Sequence, residues 1–263
     1  MLLAIDAGNT NVTFALYDDG ADRSRSEWRI RSRPGRTADE FAALLFNLFA
    51  VAGVALSDVD GCVLASVIPS ATPDLVRLCR DYFRLEPLLI SSELDLGLDI
   101  RYQPPGDVGA DRLVDAAMAL ERYGPAPLIF VDLGTGTTFN AIAAPNVYLG
   151  GALFPGLGLA WDALFERAAR LHRVEARMPP SPLADSTEHA LQSGMVYGAA
   201  SLIDGMVKKL QAAMGVADCV VVATGGNLTQ AICDASDVIT HSDPSLTLDG
   251  LALAYRRNTR PRA

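Results

Sequence analysis

Two aspartates each close a short apolar run and open onto a turn of small residues. Asp6 ends "LLAID" and is followed by Gly8, Asn9, Thr10 and Asn11; Asp132 ends "LIFVD" and is followed by Gly134, Thr135, Gly136 and Thr137. Glycine lets a turn bring backbone N–H groups against a ligand, because no Cβ stands between them. The hydroxyls of Thr10, Thr13, Thr135 and Thr137 add hydrogen-bond donors. Such turns suit phosphate oxygens. Carboxylates beside phosphates repel them, and a Mg2+ ion shared between one or two carboxylates and the phosphates removes the conflict. No lysine-bearing phosphate loop is present, since the only lysines are Lys208 and Lys209, adjacent and inside a helical pattern. A third small-residue turn, "ATGGN" at Ala223 to Asn227, is suited to bring backbone close to the flat face of a nucleoside, ahead of a helix.

Phosphoryl transfer also needs an acceptor and a group to take its proton. The candidate lies in "GADR", Gly109 to Arg112. Asp111 falls at a helix start, where the helix dipole favours a carboxylate. Arg112 beside it balances that charge or binds an anionic substrate. A helix cap is the plainer role for Asp111, and at this level both stay open.

These residues need rigid supports, and the pattern supplies them twice. Leu2 to Asp6 and Val12 to Tyr17 read as paired strands, with "WRIRS" as a third. Thr37 and Glu40 form a capping box ahead of a helix with apolar residues at Phe41, Leu44, Leu45 and Leu48. "CVLASVIP" and "PLLI" are further strands, separated by a helix with Pro73 in its first turn. A Pro/Gly-rich segment then leads into the helix "ADRLVDAAMALERYG", closed by Gly124. From there the opening pattern recurs: strand, Asp132, turn, strand, a third strand "VYLGG", helical patterns over 157–171 and 187–214, and the strand "CVVVAT". Aligned on the aspartates without a gap, Asp6 matches Asp132, Gly8 matches Gly134, and Thr10 lies opposite Gly136. The reading is an α/β protein with an internal duplication, divided into 1–118 and 119–263.

Composition bounds the rest. At 263 residues and half hydrophobic, the chain holds one large or two smaller cores. A net charge of -9 argues against a dedicated nucleic-acid binder. Two arginine clusters, Arg23 to Arg36 and Arg256, Arg257, Arg260 and Arg262, read as solvated surface. Cys62, Cys79, Cys219 and Cys233 form no CxxC pair and read as free, largely buried thiols; the three histidines have no metal-ligand spacing. No apolar run reaches membrane-spanning length and the start carries no secretory pattern, so the expectation is a cytoplasmic protein with no membrane partner.

The aspartate-led turns resemble those of the actin-like, hexokinase-type ATPase superfamily. Closer still, "DAGNTN", "SVIPS", "PPGDVGADRLVDA", "DLGTGTT", "GGALFPG", "LQSGMVYG" and "ATGGN" occur in the order seen in type III pantothenate kinases, from residue 2 to about residue 254. The chain is identified as resembling that family over nearly its whole length. The resemblance implies two actin-like (RNase H-like) domains, each with a mixed, five-stranded-type sheet flanked by helices. It implies ATP-dependent phosphorylation of pantothenate to 4'-phosphopantothenate, the first step toward coenzyme A. Asp6, Ala7, Gly8, Asn9, Thr10, Asn11, Val12 and Thr13 would hold the ATP phosphates, with Asp6 near Mg2+, and Thr135 would contact ATP. Asp111 would be the general base. Tyr102, Gly109, Ala110, Asp111, Arg112 and Thr187 would line the pantothenate site, with Arg112 near the substrate carboxylate. Asp132 resembles the position that binds a monovalent cation, K+ or NH4+. The family is homodimeric, with the partner subunit contributing to the pantothenate pocket. Departures are small: Gly136 where Ala is frequent, Ser186 where Asn is common, and "LHRV" in place of a Leu-Pro pairing. Competing readings are an actin-fold kinase for another small anionic acceptor, a non-catalytic regulatory relative, and an actin-like phosphatase acting on phosphate chains. The last needs a basic channel that two lysines poorly supply.

Overall fold

The computed structural model describes residues 1–259, and Arg260 and Arg262 lie outside them. The chain divides into two units: Met1–Met118 together with the chain from Ser245 onward, and Ala119–Pro244.

In the first unit, β1 (Leu2–Ala7), β2 (Asn11–Tyr17) and β3 (Ser26–Arg31) form an antiparallel meander, and β4 (Gly61–Ser66) and β5 (Leu88–Leu89) extend it in parallel, giving the order β3-β2-β1-β4-β5. Alternation along the strands sorts the two faces. Leu3, Ile5, Val12, Phe14 and Leu16 point into a core covered by α1 (Ala38–Ala52) and α2 (Thr72–Leu78). α1 begins as the sequence predicts: Thr37 Oγ1 accepts from the Glu40 N–H at 3.3 Å, and Glu40 accepts from the Thr37 N–H at 2.9 Å. Gly53, at φ 66°, ends it. The core line along α1 is Phe41, Leu45 and Phe49, at intervals of four; Leu44, one position off that line, is exposed. The short strand β6 (Asp99–Ile100) precedes α3 (Ala110–Tyr123), within which the division between units falls.

The second unit repeats the topology. β7 (Leu128–Leu133), β8 (Gly136–Ala143) and β9 (Val147–Pro155) form a meander, and β10 (Val220–Thr224) and β11 (His241–Ser242) add in parallel, so β9-β8-β7-β10-β11 mirrors β3-β2-β1-β4-β5. Between β9 and β10 run α4 (Leu157–Arg167), α5 (Thr187–Ser193), a wide π turn over Gly194–Gly198, and α6 (Ala199–Met214); α7 (Gln230–Ala235) follows β10. Val131, Leu133, Phe139, Ile203, Val207 and Val221 form its core. α4 stops at Arg167, short of the 171 that its pattern predicts.

One expectation on domain extent differs from the structure. The last helix, α8 (Leu246–Thr259), groups with the first unit, whereas the sequence reading ran the second half to 263. α8 packs on β1 and β4. Its Asp249, 2% exposed, accepts from Tyr17 Oη at 2.8 Å and pairs with Arg23 at 2.9 Å. Arg256 and Arg257 are not solvated surface either, since they donate to the carbonyls of Ala21 and Leu96. All four cysteines are free; Cys62 and Cys79 are buried, and Cys219 and Cys233 are half-buried. Among the described residues no helix is long and apolar enough to cross a membrane.

Candidate functional site

In the first unit, β1 ends at Asp6 and Ala7, and the chain turns through Gly8 to Asn11. Ala7 and Val12 are opposed in register and bury their side chains, so only their backbone faces outward at the turn. Asn9 and Thr10, at the tip, are exposed. The Gly8 N–H donates to the Asn11 carbonyl at 3.0 Å, closing the turn. Ser32, just beyond β3, supports it from the side: its Oγ donates to the Gly8 carbonyl at 2.6 Å and its N–H to the Thr10 carbonyl at 2.9 Å. Sequence reasoning missed Ser32, because nothing local marks a serine that acts 24 residues away. Thr13 is opposite Asp6 in register, so the two side chains share one face of the sheet.

The "GADR" segment is built in the same unit. The Val67 N–H donates to the Ala7 carbonyl at 3.1 Å, which ties the "SVIPS" segment to the end of β1. A Cβ on Gly109 would strike the Asp111 carboxylate and stand 3.6 Å from Val67 Cγ1, so a larger residue at the entry to α3 would push that carboxylate aside. Asp111 therefore stands beside the segment that hangs from the residue after Asp6. Burial pushes the Asp111 carboxyl above its ordinary range; the Arg112 N–H and the Arg112 charge pull the other way without cancelling it. That N–H donates to Asp111 Oδ1 at 2.7 Å. Arg112 is 8% exposed, and its guanidinium lies 5.6 Å from the centre of the Tyr102 ring, so the residues predicted to recognise an anionic acceptor are stacked together. Asp115, one turn further along α3, is fully buried and was passed over in the sequence.

In the second unit, Asp132 stands near the end of β7 and the turn runs through Gly134, Thr135 and Gly136. This turn is clamped. The Asn227 N–H donates to the Leu133 carbonyl at 2.9 Å and its Nδ2 to the Gly134 carbonyl at 2.8 Å. The Gly156 N–H donates to the Thr135 carbonyl at 3.1 Å. Gly225, at φ 102°, lies so close that a Cβ there would collide with Asp132 Oδ1 and the Leu133 backbone. Thr135 is exposed at the tip. Thr137 is not there: it opposes Leu133, faces the core, and its buried hydroxyl has no hydrogen-bond partner among the described residues. The threonine on the Asp132 face is Thr138, opposite Asp132. Thr187 is exposed at the start of α5, which Ser186 caps through the His189 N–H at 3.3 Å.

Beside "ATGGN" the second unit has a pocket of about 340 Å³, lined by Trp161, Phe165, Arg173, Met195, Gly226 and Asn227 among others. Trp161 and Phe165 stack with centroids 6.3 Å apart, and Arg173 lies over Phe165 at 5.7 Å. Gly194, in the π turn, gives the Trp161 ring its room. Among the described residues no three His, Cys, Asp or Glu side chains cluster to hold a metal ion, so a cation at either aspartate would need oxygens from a ligand or backbone.

Comparison with known proteins decides the family. The family model described as type III pantothenate kinase matches residues 2–209. The chain belongs to the type III pantothenate kinase family. It is 43% identical to the type III pantothenate kinase of Roseiflexus sp. (strain RS-1) over 258 residues, 98% of this chain and 99% of that protein. It is 44% identical to the one from Paramagnetospirillum magneticum, with 99% of each chain covered. Among solved structures, an inorganic polyphosphate/ATP-glucomannokinase from Arthrobacter sp. strain KM aligns at TM-score 0.52 and 15% identity, covering 96% of both chains. An ethanolamine utilization protein from Carboxydothermus hydrogenoformans aligns at TM-score 0.53 and 14% identity, covering 95% of this chain and 88% of that one. At such identities the likeness concerns the fold alone, a duplicated α/β fold. As a member of a kinase family, the chain is an enzyme.

Proposed function

We propose that this enzyme transfers the γ-phosphoryl group of ATP to the hydroxyl of pantothenate, forming 4'-phosphopantothenate and ADP as the first step toward coenzyme A. The observation that carries this reading is the placement of Asp111: a half-buried carboxylate beside the segment tied to the end of β1, with Arg112 stacked on Tyr102 next to it. Asp111 takes the proton of the pantothenate hydroxyl as that oxygen bonds to the γ-phosphorus and the bond to the β-phosphate oxygen breaks. Arg112 and Tyr102, with Gly109 and Ala110, receive the acceptor and its carboxylate, and Thr187 adds a hydroxyl.

The turn from Asp6 to Thr13 holds the phosphates, Asp6 lies near Mg2+, and Thr135 contacts the nucleotide. Mg2+ would neutralise charge on the phosphates. The residues fit such an ion, since a single carboxylate at a strand end beside exposed backbone leaves room for ligand oxygens. Asp132, cradled by Gly134 and Gly225, fits a K+ or NH4+ ion together with turn carbonyls. The Trp161 pocket beside "ATGGN" suits the nucleoside. Exposed Leu149, Leu153 and Phe154 on β9, with Leu159 and Leu164 on α4, support a homodimer. The cytoplasm is where such a reaction belongs.

The test is ADP release by purified enzyme with ATP and Mg2+, with and without pantothenate, in K+ and then in Na+ alone. Pantothenate-dependent turnover that requires K+, and loses that requirement or the activity itself in Asp132→Ala, supports the reading. Turnover with another small acid but not pantothenate moves the acceptor assignment, and no turnover from folded, ATP-binding protein points to a regulatory relative. Light scattering checks the dimer.

A further inference from the structure

The first turn lacks a lysine, and the register of β3 brings two cationic side chains to its face. Asp6 opposes Thr13, Thr13 opposes Arg29, and Asn11 opposes Arg31. Directly opposed residues of antiparallel strands project on the same side. The other side is settled by burial: Leu3, Ile5, Val12 and Phe14 enter the core, and Trp28 and Ile30 pack against it. Arg29 and Arg31 therefore stand on the face of Asp6, Asn11 and Thr13, with about 5 Å between neighbouring strands.

Both arginines are exposed, and neither guanidinium has an ion-pair or hydrogen-bond partner among the described residues. Three neighbouring arginines are engaged, whereas Arg33, also exposed, lies beyond the end of β3. Arg23 pairs with Asp249, Arg25 with Asp18, and Arg36 donates to the Arg31 carbonyl and lies over the Phe41 ring. The one acid on β3, Glu27, shares the Arg29 face and accepts from Ser24 at 2.5 Å. Two uncommitted guanidinium forks thus flank a turn whose own charge is a carboxylate.

We propose that Arg29 and Arg31 are phosphate-binding residues, taking oxygens of the nucleotide triphosphate by charge-assisted hydrogen bonds from the β3 side. This rests on the reading of the Asp6 turn as the phosphate grip. It assigns the positive charge that a lysine supplies in other phosphate loops to a strand two positions across the sheet.

The test compares wild type, Arg29→Gln, Arg31→Gln, the double variant and Arg29→Lys by calorimetric titration with ATP across ionic strength. Arg77→Gln, an exposed change on α2, is the control. The double variant should bind ATP about 10-fold more weakly or worse, the loss expected for about one charge-assisted hydrogen bond. Its affinity should depend less on salt, and Arg29→Lys should recover part of the loss; a purely structural role would move neither the salt slope nor the lysine rescue. Wild-type affinity and salt slope in the double variant overturn the proposal. A wild type that binds no nucleotide overturns the phosphate reading of the turn and this inference with it.

Discussion

Four residues, Gly8 to Asn11, lie between the last opposed pair of the β1–β2 hairpin, Ala7 and Val12, whereas three, Gly134 to Gly136, lie between Leu133 and Thr137 in the β7–β8 hairpin. The longer turn stands open, with Asn9 and Thr10 exposed and Ser32 bonded to the Gly8 and Thr10 carbonyls. The shorter one is pressed between Asn227, Gly156 and Gly225. One local code, an aspartate and then a glycine-led turn, has been mounted in two ways. An open loop with exposed residues at its tip suits the changing phosphates of a nucleotide. A clamped loop with defined carbonyl positions suits an ion whose ligands must stay put.

The largest expected effect lies outside both turns. Asp111→Asn should lower turnover by about 10²- to 10⁴-fold, the usual worth of a general base, while ATP affinity and the cation response stay near wild type. Parallel loss of ATP binding would place Asp111 in the phosphate grip and blur the distinction between gripping and chemistry. The same variant has a stability signature. The native Asp111 carboxyl keeps its proton to higher pH than the unfolded chain does, so its contribution is complete in acid and is lost as pH rises through the native value. Asp111→Asn should therefore raise the thermal midpoint at neutral pH and make little difference in acid. In the enzyme itself, turnover should climb with pH through that raised value.

Next comes glycine at the clamp. Gly225→Ala combines a positive φ with a collision against Asp132 and Leu133, and should cost about 3 kcal/mol in urea unfolding. Gly8→Ala meets only the Asn11 carbonyl, 3.3 Å from the new Cβ, and should cost less than about 1 kcal/mol. Equal costs would mean that the two turns are equally constrained. The smallest effects come from the supports. Asn227→Ala and Ser32→Ala each remove one side-chain hydrogen bond to a turn carbonyl, worth about 1 kcal/mol. Asn227→Ala should change the K+ concentration needed for half-maximal rate, and Ser32→Ala the KM for ATP. Crossed effects would break the division of labour between the turns.

Much of the candidate site was legible because its residues are local. Asp6, Asp132 and the "GADR" segment are marked by residue type at the ends of apolar strands, and the Thr37–Glu40 capping box reads directly. The ungapped alignment of the two halves failed at one point that matters. It set Thr13 against Phe139, but the hairpins differ by one turn residue, so Thr13 corresponds to Thr138 and Thr137 turns into the core. A one-residue change in a turn flips every side chain beyond it, and no pattern of residue types reports turn length. Ser32 and Asn227 escaped for a related reason: each is an ordinary polar residue until a distant carbonyl arrives beside it.

By itself, the sequence determined the longer strands, the duplicated hairpins, the carboxylate near the end of the first strand of each and the family to which the chain belongs, since these depend on side-chain period and near neighbours; the two-residue strands β6 and β11 escaped it. Only the tertiary structure decided that α8 joins the first unit, that Asp111 is half-buried beside the segment tied to the end of β1, that one turn is clamped and the other open, and that Arg29 and Arg31 share the Asp6 face. Those outcomes depend on register and on pairing between residues far apart in the chain. Such pairing is settled by what each strand and helix can bury against, and local residue type does not encode it.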